Sequence, residues 1–338
     1  MKRSLLLLVI CFSLLITPVL TQAQAPNGVT VTCDDGSSFD NGVEVRVNQL
    51  RAGFNYTATA VGLNGFDPVL AVLDPNTGSG LCNDDNADAG RYAAYLPTSG
   101  TAAPSSSSAQ VNFSQGSGSS LADVSLVVGG YSGQGGEFLL ILEGMGVTAG
   151  DGAGDSFSVN LTPGMVDSDV PMTIYMITRG QSQVDPYIYQ ADSKLNPLTD
   201  SQGNTIACDD SGSNGLCQPG SVDLSNYSVT LGTTALTGWQ YDAMLSLSLT
   251  GLQLDADPTQ NYYNFVMTTS PTEATEGQYL LVFDITTVTG SDSGSNGGLT
   301  GGEENSGQNQ TAPTAVPNTN NSGAPSGMSV TCDDGSHF

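Results

Sequence analysis

The sequence predicts an all-β protein with two tandem antiparallel jelly-roll-like β-sandwich domains and a disordered C-terminal linker. Three observations lead to this class. Apolar runs are short, rich in Val, Leu, Tyr and Phe, and bounded by Gly, Ser, Thr, Asn and Asp, which favour turns. No apolar stripe with the 3.6-residue period of a helix follows the first 25 residues. A set of strand motifs also occurs twice in the same order, which indicates a duplicated unit.

Residues 1–25 have the features of a secretory signal peptide. Lys2 and Arg3 give a positive start, "LLLLVICFSLLITPVL" is a short apolar core, and "TQAQA" supplies small residues for cleavage. Cleavage after Ala23 is favoured over cleavage after Ala25, because the latter would leave proline as the first residue. No later stretch approaches the roughly 18–20 apolar residues of a spanning helix. We therefore expect a secreted or cell-surface protein without a membrane span.

The body of the chain predicts one β-sandwich domain at residues 29–163 and a second at residues 166–288. "GFDPVLAVLDPNTGSGLCNDDN" (Gly65–Asn86) corresponds to "QVDPYIYQADSKLNPLTDSQGNTIACDDSG" (Gln183–Gly212). Each contains Asp-Pro, a strand, a turn, and a Cys followed closely by Asp-Asp. Further along, "DVSLVVGGYSGQGGEFLLILEG" corresponds to "YNFVMTTSPTEATEGQYLLVFD". Short strands separated by turns in this way are typical of antiparallel sandwiches.

The C-terminal region predicts a flexible linker followed by a truncated copy of the N-terminal motif. Residues 289–327 have few large apolar groups, so they cannot bury enough surface to offset their ordering entropy. Residues 328–338 end in "VTCDDGSHF", which matches eight of the nine letters of "VTCDDGSSF" at Val31–Phe39. A truncated repeat unit is the first interpretation. The alternative is a strand that pairs with a sheet edge of a neighbouring molecule, which would give self-association through the tail.

The charge of the chain argues against nucleic acid as a partner and favours cations. Loss of Lys2 and Arg3 with the signal peptide leaves five basic residues against 33 acidic ones, a formal net charge of −28. Nucleic acids and anionic lipids are bound chiefly through Lys and Arg, so we expect this surface to repel them. Hard divalent cations, which take oxygen ligands, suit it better. A simpler interpretation is that the acidic residues keep a secreted protein in solution.

Five cysteines remain after removal of the signal peptide, and disulfides are their expected state in an oxidising compartment. Cys208 and Cys217 bracket the polar loop "CDDSGSNGLC" and form the first predicted pair. Cys33 with Cys82 is the second predicted pair, which leaves Cys332 unpaired. A zinc site is the weaker alternative, because the body of the chain has neither histidine nor a C-x-x-C motif.

The distribution of catalytic residue types argues against an enzyme. The single histidine, His337, is second from the C-terminus, so a Ser-His-Asp or Cys-His site lacks its base. The sequence contains no Gly-Lys-Ser/Thr phosphate loop. A glycosidase that uses two carboxylates survives this test, although the single tryptophan, Trp239, offers little platform for sugar rings. We therefore expect a non-catalytic protein.

Acidic clusters at the ends of corresponding strands are the strongest chemical signal in the sequence. Calcium takes about six to eight oxygen ligands from carboxylates, amides, carbonyls and water. A loop of adjacent Asp and Asn residues that closes onto an Asp-Pro turn offers this ligand set. The candidate calcium ligands are Asp67, Asp74, Asn83, Asp84, Asp85, Asp185, Asp209 and Asp210. The alternative is that these residues cap turns by accepting hydrogen bonds from their own backbone.

The motifs "FDPVLAVLD…NDD" and "VDPYIYQAD…CDD", each followed by "GGEFLLIL" or "EGQYLLVF", resemble those of the bacterial pre-peptidase C-terminal domain family. The resemblance covers most of residues 43–288 in two copies. It implies a secreted jelly-roll sandwich that accompanies another module. It also implies calcium binding, as in some members, and attachment to a matrix polymer, as in others.

These observations predict a secreted, non-catalytic tandem β-sandwich module, stabilised by calcium, that binds an extracellular matrix or surface polymer or a protein. A purely structural cell-surface or envelope protein without a specific ligand is the second hypothesis. A carboxylate-based glycosidase is the third.

Overall fold

The structure is a computed structural model. It describes residues 29–32, 38–51, 53–76, 78, 80–85, 93–96, 100–102, 107–115, 122–147, 155–160, 172–178, 184–210, 228–231, 234–237, 239, 241–247, 262–273, 275–287 and 328–331. These residues form an all-β fold, as the sequence predicts, with one short 3₁₀ turn at Tyr131–Gly133 in the described part. None of the described residues belongs to a helix of the length and apolar character that a bilayer span requires.

The two halves of the chain contribute equivalent sets of strands in the same order. The first half contributes β1 (Val29–Thr32), β2 (Ser38–Leu50), β3 (Asn55–Gly62), β4 (Pro68–Leu73), β5 (Gly80–Asn83), β6 (Ala93–Leu96), β7 (Gly100–Ala102), β8 (Ala109–Gln115), β9 (Ala122–Gly130) and β10 (Glu137–Val147). The second half contributes β11 (Asp155–Asn160), β12 (Met172–Thr178), β13 (Pro186–Ala191), β14 (Ala207–Cys208), β15 (Ser228–Leu231), β16 (Thr234–Thr237), β17 (Ala243–Leu247), β18 (Tyr262–Thr269) and β19 (Gly277–Thr286). Strand β20 (Met328–Thr331) follows near the end of the chain.

These strands pair into three antiparallel sheets, and apart from β1 and β20 the order of each sheet is symmetric about its middle. The largest sheet has the order β14-β13-β18-β11-β2-β9-β4-β5, with β1 also paired to β2. The second has the order β17-β12-β19-β10-β3-β8-β20, and the small third sheet has the order β16-β15-β6-β7. Each strand from β2 to β10 therefore has its counterpart nine strands later. The middle two strands of each symmetric order are equivalent strands of the two halves and are antiparallel. An approximate two-fold rotation that relates the halves produces this arrangement.

The core lies between the two large sheets and passes through both halves of the chain. In β2, Val43, Val45 and Val47 are buried in this core, whereas Glu44 and Arg46 occupy the alternate positions of the strand. At the middle, the rings of Phe157 and Phe283 meet edge to face, with centroids 5.9 Å apart. One apolar cluster contains inward residues from both halves, among them Leu70, Leu126, Leu140, Ile174, Ile188, Leu245 and Phe265.

Both large sheets run across the boundary that the sequence predicts between the two domains. Strand β10 of the first half pairs with β19 of the second from Glu137 to Val147. Strand β11 pairs with β2 on one side and β18 on the other. The described strands of the two predicted domains therefore share both large sheets. Residues 161–171, which contain the predicted boundary, lie outside the described residues, and the tandem jelly-roll organisation stays a prediction.

A partly buried polar network joins the two halves of the chain. The hydroxyl of Tyr279 donates to Asp155 Oδ2 at 2.5 Å, and Arg51 Nη2 lies 3.2 Å from Asp155 Oδ1. The backbone N–H of Arg51 donates to the hydroxyl of Tyr56 at 3.0 Å. Burial and the carboxylate of Asp155 raise the pKa of Tyr279 well above its ordinary value. Tyr279 therefore keeps its proton and donates a hydrogen bond to the carboxylate.

The N-terminal copy of the repeated motif covers the outer face of β4. Val31 and Phe39, the first and last residues of "VTCDDGSSF", form a small cluster with Val69, Ala71 and Leu73. Strand β4 is consequently buried on both faces, which explains its continuous apolar sequence "PVLAVL".

The C-terminal copy has a different position in the fold. Strand β20 is antiparallel to β8, with Val330 opposite Phe113. It forms the end of the second sheet within its own chain. Residues 1–25, residues 289–327 and the end of the copy after Thr331 lie outside the described residues. The signal peptide, the disordered linker and the pairing of this strand with a neighbouring molecule therefore stay predictions.

Candidate metal centres

The hairpin β4–β5 brings three carboxylates of the first half together. Asp67 precedes β4, and Asp84 and Asp85 follow β5. Because the two strands are antiparallel, with Leu70 opposite Asn83, the start of β4 lies beside the end of β5. One carboxylate oxygen from each of Asp67, Asp84 and Asp85 lies within 4.8 Å of the other two.

The hairpin β13–β14 repeats this arrangement in the second half. Ile188 lies opposite Cys208, so Asp185 at the start of β13 lies beside Asp209 and Asp210. These three carboxylates again place one oxygen each within 4.8 Å of the other two. We call the sets Asp67/Asp84/Asp85 and Asp185/Asp209/Asp210 the first and second carboxylate clusters. The sequence therefore predicted six of the residues that the structure brings together.

The oxygen spacing of both clusters and the burial of Asp185 suit a bound divalent cation, although Asp85 of the first cluster is exposed. Calcium lies about 2.3–2.6 Å from its ligands, so two oxygens on one ion are at most about 5 Å apart. Asp185 is 9% exposed, and its Oδ1 atom is buried without a hydrogen-bond partner in the described structure. The Oδ1 atoms of Asp67 and Asp209 are likewise buried without such a partner there. An all-oxygen donor set favours calcium or magnesium over zinc.

Electrostatics within the second cluster oppose ionisation. Burial raises the pKa of Asp185 to about 6, with further contributions from the negative charges of Asp210, Asp209 and Glu273. Burial also raises the pKa of Asp209, although a hydrogen bond from Ser270 partly offsets this effect. In Asp210, burial and the charges of Asp209 and Glu273 raise the pKa. A divalent cation at this position would remove the repulsion.

The first cluster shows the same effect in Asp67. Burial raises its pKa, and the negative charge of Asp85 adds to the shift. Two turns of the second half show what a capping aspartate does instead. Hydrogen bonds from Asn196 lower the pKa of Asp192, and hydrogen bonds from Asn204 lower that of Asp200. The carboxylates with raised pKa values therefore differ from turn caps, which was the alternative interpretation of the sequence.

The two clusters differ in one turn that the sequence analysis missed. The backbone N–H groups of Tyr131 and Ser270 donate to the carbonyls of Asp67 and Asp185, both at 2.8 Å, so these positions are equivalent. The same turn then places Gln134 in the first half and Glu273 in the second. Glu273 adds a fourth negative charge, and the Ser270 hydroxyl donates to Asp209 Oδ2 at 3.2 Å. Alignment of "YSGQGG" with "SPTEATEG" was the signal that could have identified Glu273.

Two of the predicted calcium ligands have other roles in the structure. Asp74 lies at the far end of β4, seven residues or about 23 Å of extended chain from Asp67. Its Oδ1 atom accepts the backbone N–H of Asn76 at 2.8 Å, which makes it a turn cap. The side-chain oxygen of Asn83 accepts the backbone N–H of Gln110 at 2.8 Å and so ties β5 to β8. Asp74 belongs to neither carboxylate cluster, and the role of Asn83 as a calcium ligand stays a prediction.

One described cysteine lies near each cluster, Cys82 in β5 and Cys208 in β14, but the two do not occupy equivalent positions in the two halves. Cys82 and Cys208 each take part in a disulfide. Their predicted partners, Cys33 and Cys217, lie outside the described residues, as does Cys332. The pairings and the unpaired state of Cys332 therefore stay predictions. By strand register the counterpart of Cys208 is Asn83, because Asn83 pairs with Leu70 as Cys208 pairs with Ile188.

Comparison with known proteins adds no relative. No protein-family model matches the chain, and no curated protein matches it. The resemblance to the pre-peptidase C-terminal domain family therefore rests on the motifs quoted above and stays a prediction.

Proposed function

We propose that this chain is a secreted, non-catalytic β-sandwich module that binds an extracellular polymer or protein and holds a divalent cation in each half. Calcium is the cation that the donor set favours. Asp185 carries the cation proposal, because its carboxylate is only 9% exposed, lies beside those of Asp209 and Asp210, and has one buried oxygen, Oδ1, without a hydrogen-bond partner among the described residues. Buried charge is costly unless it is paired or coordinates a metal.

The duplication supports the same proposal. Asp-Pro and Asp-Asp occur at equivalent strand ends in both halves, although the intervening strands have diverged in sequence. Turn capping alone gives little reason to gather three carboxylates at one point. Coordination of a cation explains why the same three acidic residues occur at both positions.

The direct test measures calcium binding and stability in the mature full chain. Isothermal titration should give two calcium ions per chain, and thermal unfolding in calcium should occur several degrees above unfolding in chelator. At a calcium concentration of about 100 times the dissociation constant, each site adds about 2.7 kcal/mol. Asp185→Asn and Asp67→Asn should each remove one ion, whereas Asp74→Asn should retain both. No heat of binding and no thermal shift at millimolar calcium would contradict the cation sites.

The polymer-binding part of the proposal rests on the predicted export and on the motifs that resemble the pre-peptidase C-terminal domain family, some members of which attach to a matrix polymer. Co-sedimentation of the mature chain with extracellular polymers separates it from a purely structural surface protein, which should bind none of them.

A carboxylate-based glycosidase is a second candidate, because the second cluster contains adjacent acids and one with a pKa of about 6. Retaining glycosidases hold their two carboxyl groups about 5–5.5 Å apart, and one of them has a raised pKa. Assays with chromogenic glycosides distinguish the two candidates. Turnover that disappears in Asp185→Asn would favour the enzyme. Absence of turnover together with calcium binding would favour the module.

A further inference from the structure

An exposed aromatic pair lies on the turn before β17. Trp239 is 37% exposed and Tyr241 is 36% exposed, and their rings meet edge to face with centroids 4.6 Å apart. An edge-to-face contact uses one face of one ring, so three of the four ring faces stay outside it. We call Trp239, Tyr241 and the following Asp242 the Trp239 turn.

A buried carboxylate holds the Trp239 turn in place. Asp242 is 1% exposed, and its Oδ2 atom accepts the backbone N–H of Trp239 at 2.8 Å. Its Oδ1 atom accepts the backbone N–H of Thr178, at the end of β12, at 2.7 Å. The backbone N–H of Asp242 donates in turn to the carbonyl of Trp239 at 2.9 Å. The aromatic pair is therefore presented on a turn that buried hydrogen bonds hold to the sheet.

The first half of the chain shows that the fold does not need aromatic side chains here. Ala109 of β8 pairs with Ala60, and Ala243 of β17 pairs with Met176, at equivalent positions of the second sheet. Counting back from these alanines, the sequence Ser105–Ser108 of the first half stands where the second half has Trp239–Asp242. The structure describes Ser107 and Ser108, small residues at the positions of Tyr241 and Asp242, and the sequence has another serine, Ser105, at the position of Trp239. The two large aromatic residues therefore call for an explanation other than folding.

The Trp239 turn is also connected to the second carboxylate cluster. The Thr178 hydroxyl donates to the carbonyl of Val184, the residue before Asp185, at 3.2 Å. The backbone N–H of Met244 lies 3.1 Å from the Sγ atom of Cys208, the residue before Asp209. Two short chains of contacts thus join the aromatic pair to residues adjacent to the carboxylates.

We propose that the Trp239 turn binds the sugar rings of a neutral polysaccharide. The inference rests on the proposed polymer-binding function and names the class of polymer. A pyranose ring presents C–H groups to an aromatic face while its hydroxyls stay in water, which matches rings that are apolar yet exposed. The formal net charge of −28 on the mature chain argues against an acidic polymer. A two-ring patch is small beside the roughly 800 Å² per partner of a stable protein interface, whereas repeated weak contacts along a polymer gain by avidity.

The test uses the mature full chain, in calcium, with a panel of polysaccharides. Co-sedimentation with cellulose and chitin and affinity electrophoresis in mannan, xylan and β-glucan should reveal binding to at least one neutral polymer. Trp239→Ala and Tyr241→Ala should each weaken that binding about tenfold, as expected for loss of one stacked ring. Tyr131→Ala is the control for loss of an exposed aromatic ring elsewhere, because Tyr131 is 44% exposed in the turn between β9 and β10 and should not change binding.

Fluorescence supplies a second measurement, because Trp239 is the single tryptophan of the chain. Soluble oligosaccharides of the bound polymer should shift its emission in the wild type and in Tyr131→Ala. Failure to bind any neutral polymer, equal binding by both aromatic variants, or retention only by an acidic polysaccharide or a protein would overturn the inference. Binding to a polymer or protein through another surface would leave the proposed function intact. Calcium titration of the same variants reports on the cation sites separately.

Discussion

Replacement of Asp185 by asparagine should change stability in opposite directions with and without calcium. Without a cation, burial and three neighbouring negative charges raise the pKa of Asp185 from 3.8 to about 6. At 1.36 kcal/mol per pKa unit this shift corresponds to at most about 3 kcal/mol, and to about 1–2 kcal/mol once solvent screening is allowed for. Asparagine carries no charge, so Asp185→Asn should raise the free energy of unfolding by about 1–2 kcal/mol in chelator at pH 7.5.

With calcium the order of stability should reverse. The wild type gains about 2.7 kcal/mol at the second cluster when calcium is about 100 times above the dissociation constant. The variant has lost one ligand and gains much less, so it should be the less stable protein. Asp74→Asn is the matched control, because it makes the same chemical change at a carboxylate that caps Asn76. It should cost about 0.5–1.5 kcal/mol in both buffers.

The same shift predicts how stability depends on pH in chelator. A carboxyl group whose pKa is higher in the folded state binds more protons there between pH 3.8 and about 6. Its contribution to stability therefore falls as the pH rises through this window. Urea unfolding at several pH values should show this fall in the wild type, and the fall should be smaller in Asp185→Asn. Equal destabilisation by Asp185→Asn in calcium and in chelator would refute the reasoning.

Three further predictions concern Glu273 of the second half, the Asp155–Arg51 ion pair between the halves, and the edge of β8. Glu273→Gln should weaken calcium binding at the second cluster several-fold because it removes a nearby negative charge, and titration showing unchanged affinity would contradict this. Asp155→Asn should lower the free energy of unfolding by about 1–3 kcal/mol, because it breaks the ion pair with Arg51; Asp123→Asn, on an exposed residue, is the control for urea denaturation. Deletion of residues 328–338 uncovers the edge of β8 and should increase self-association at high concentration, measured by light scattering; an unchanged monomer would count against an exposed edge there.

The sequence was informative wherever the relevant partners are local. Short apolar runs between turn residues predicted the strands, and Asp-Pro with Asp-Asp predicted the carboxylate clusters because a single hairpin brings them together. Asp74 was misplaced because the motif does not show which end of β4 faces the cluster. The hydrogen bond that Asn83 accepts from the backbone of Gln110 could not be predicted, because Gln110 belongs to a distant strand.

The shared sheets could not be predicted from the repeats. The sequence of each repeat unit is compatible with a complete sandwich. Every strand has an inward and an outward face both in two separate sandwiches and in two halves that share their sheets. The pairing of β10 with β19 depends on which edges meet, and both strands are equally apolar in either case. Phe157 and Phe283 could equally have packed within separate domains. Edge pairing over long sequence distances leaves no periodic signal in the chain.

The approximate two-fold symmetry provides an internal control for functional interpretation. Features present in both halves, such as the two carboxylate clusters, are explained by the common scaffold and by a function that the two halves share. Features present in one half alone need a separate cause, because the other half folds without them. Glu273 and the Trp239 turn both belong to the second half, where the equivalent positions of the first carry Gln134 and serines. Both are connected to Asp185. The negative charge of Glu273 raises the pKa of Asp185. The Trp239 turn is joined by hydrogen bonds through Thr178 to Val184, the residue before Asp185. If calcium occupancy of the second cluster changes polysaccharide affinity, Glu273→Gln should weaken polymer binding at limiting calcium and leave it unchanged at saturation. Polymer affinity that is the same in chelator and in saturating calcium would show that the two features of the second half act independently.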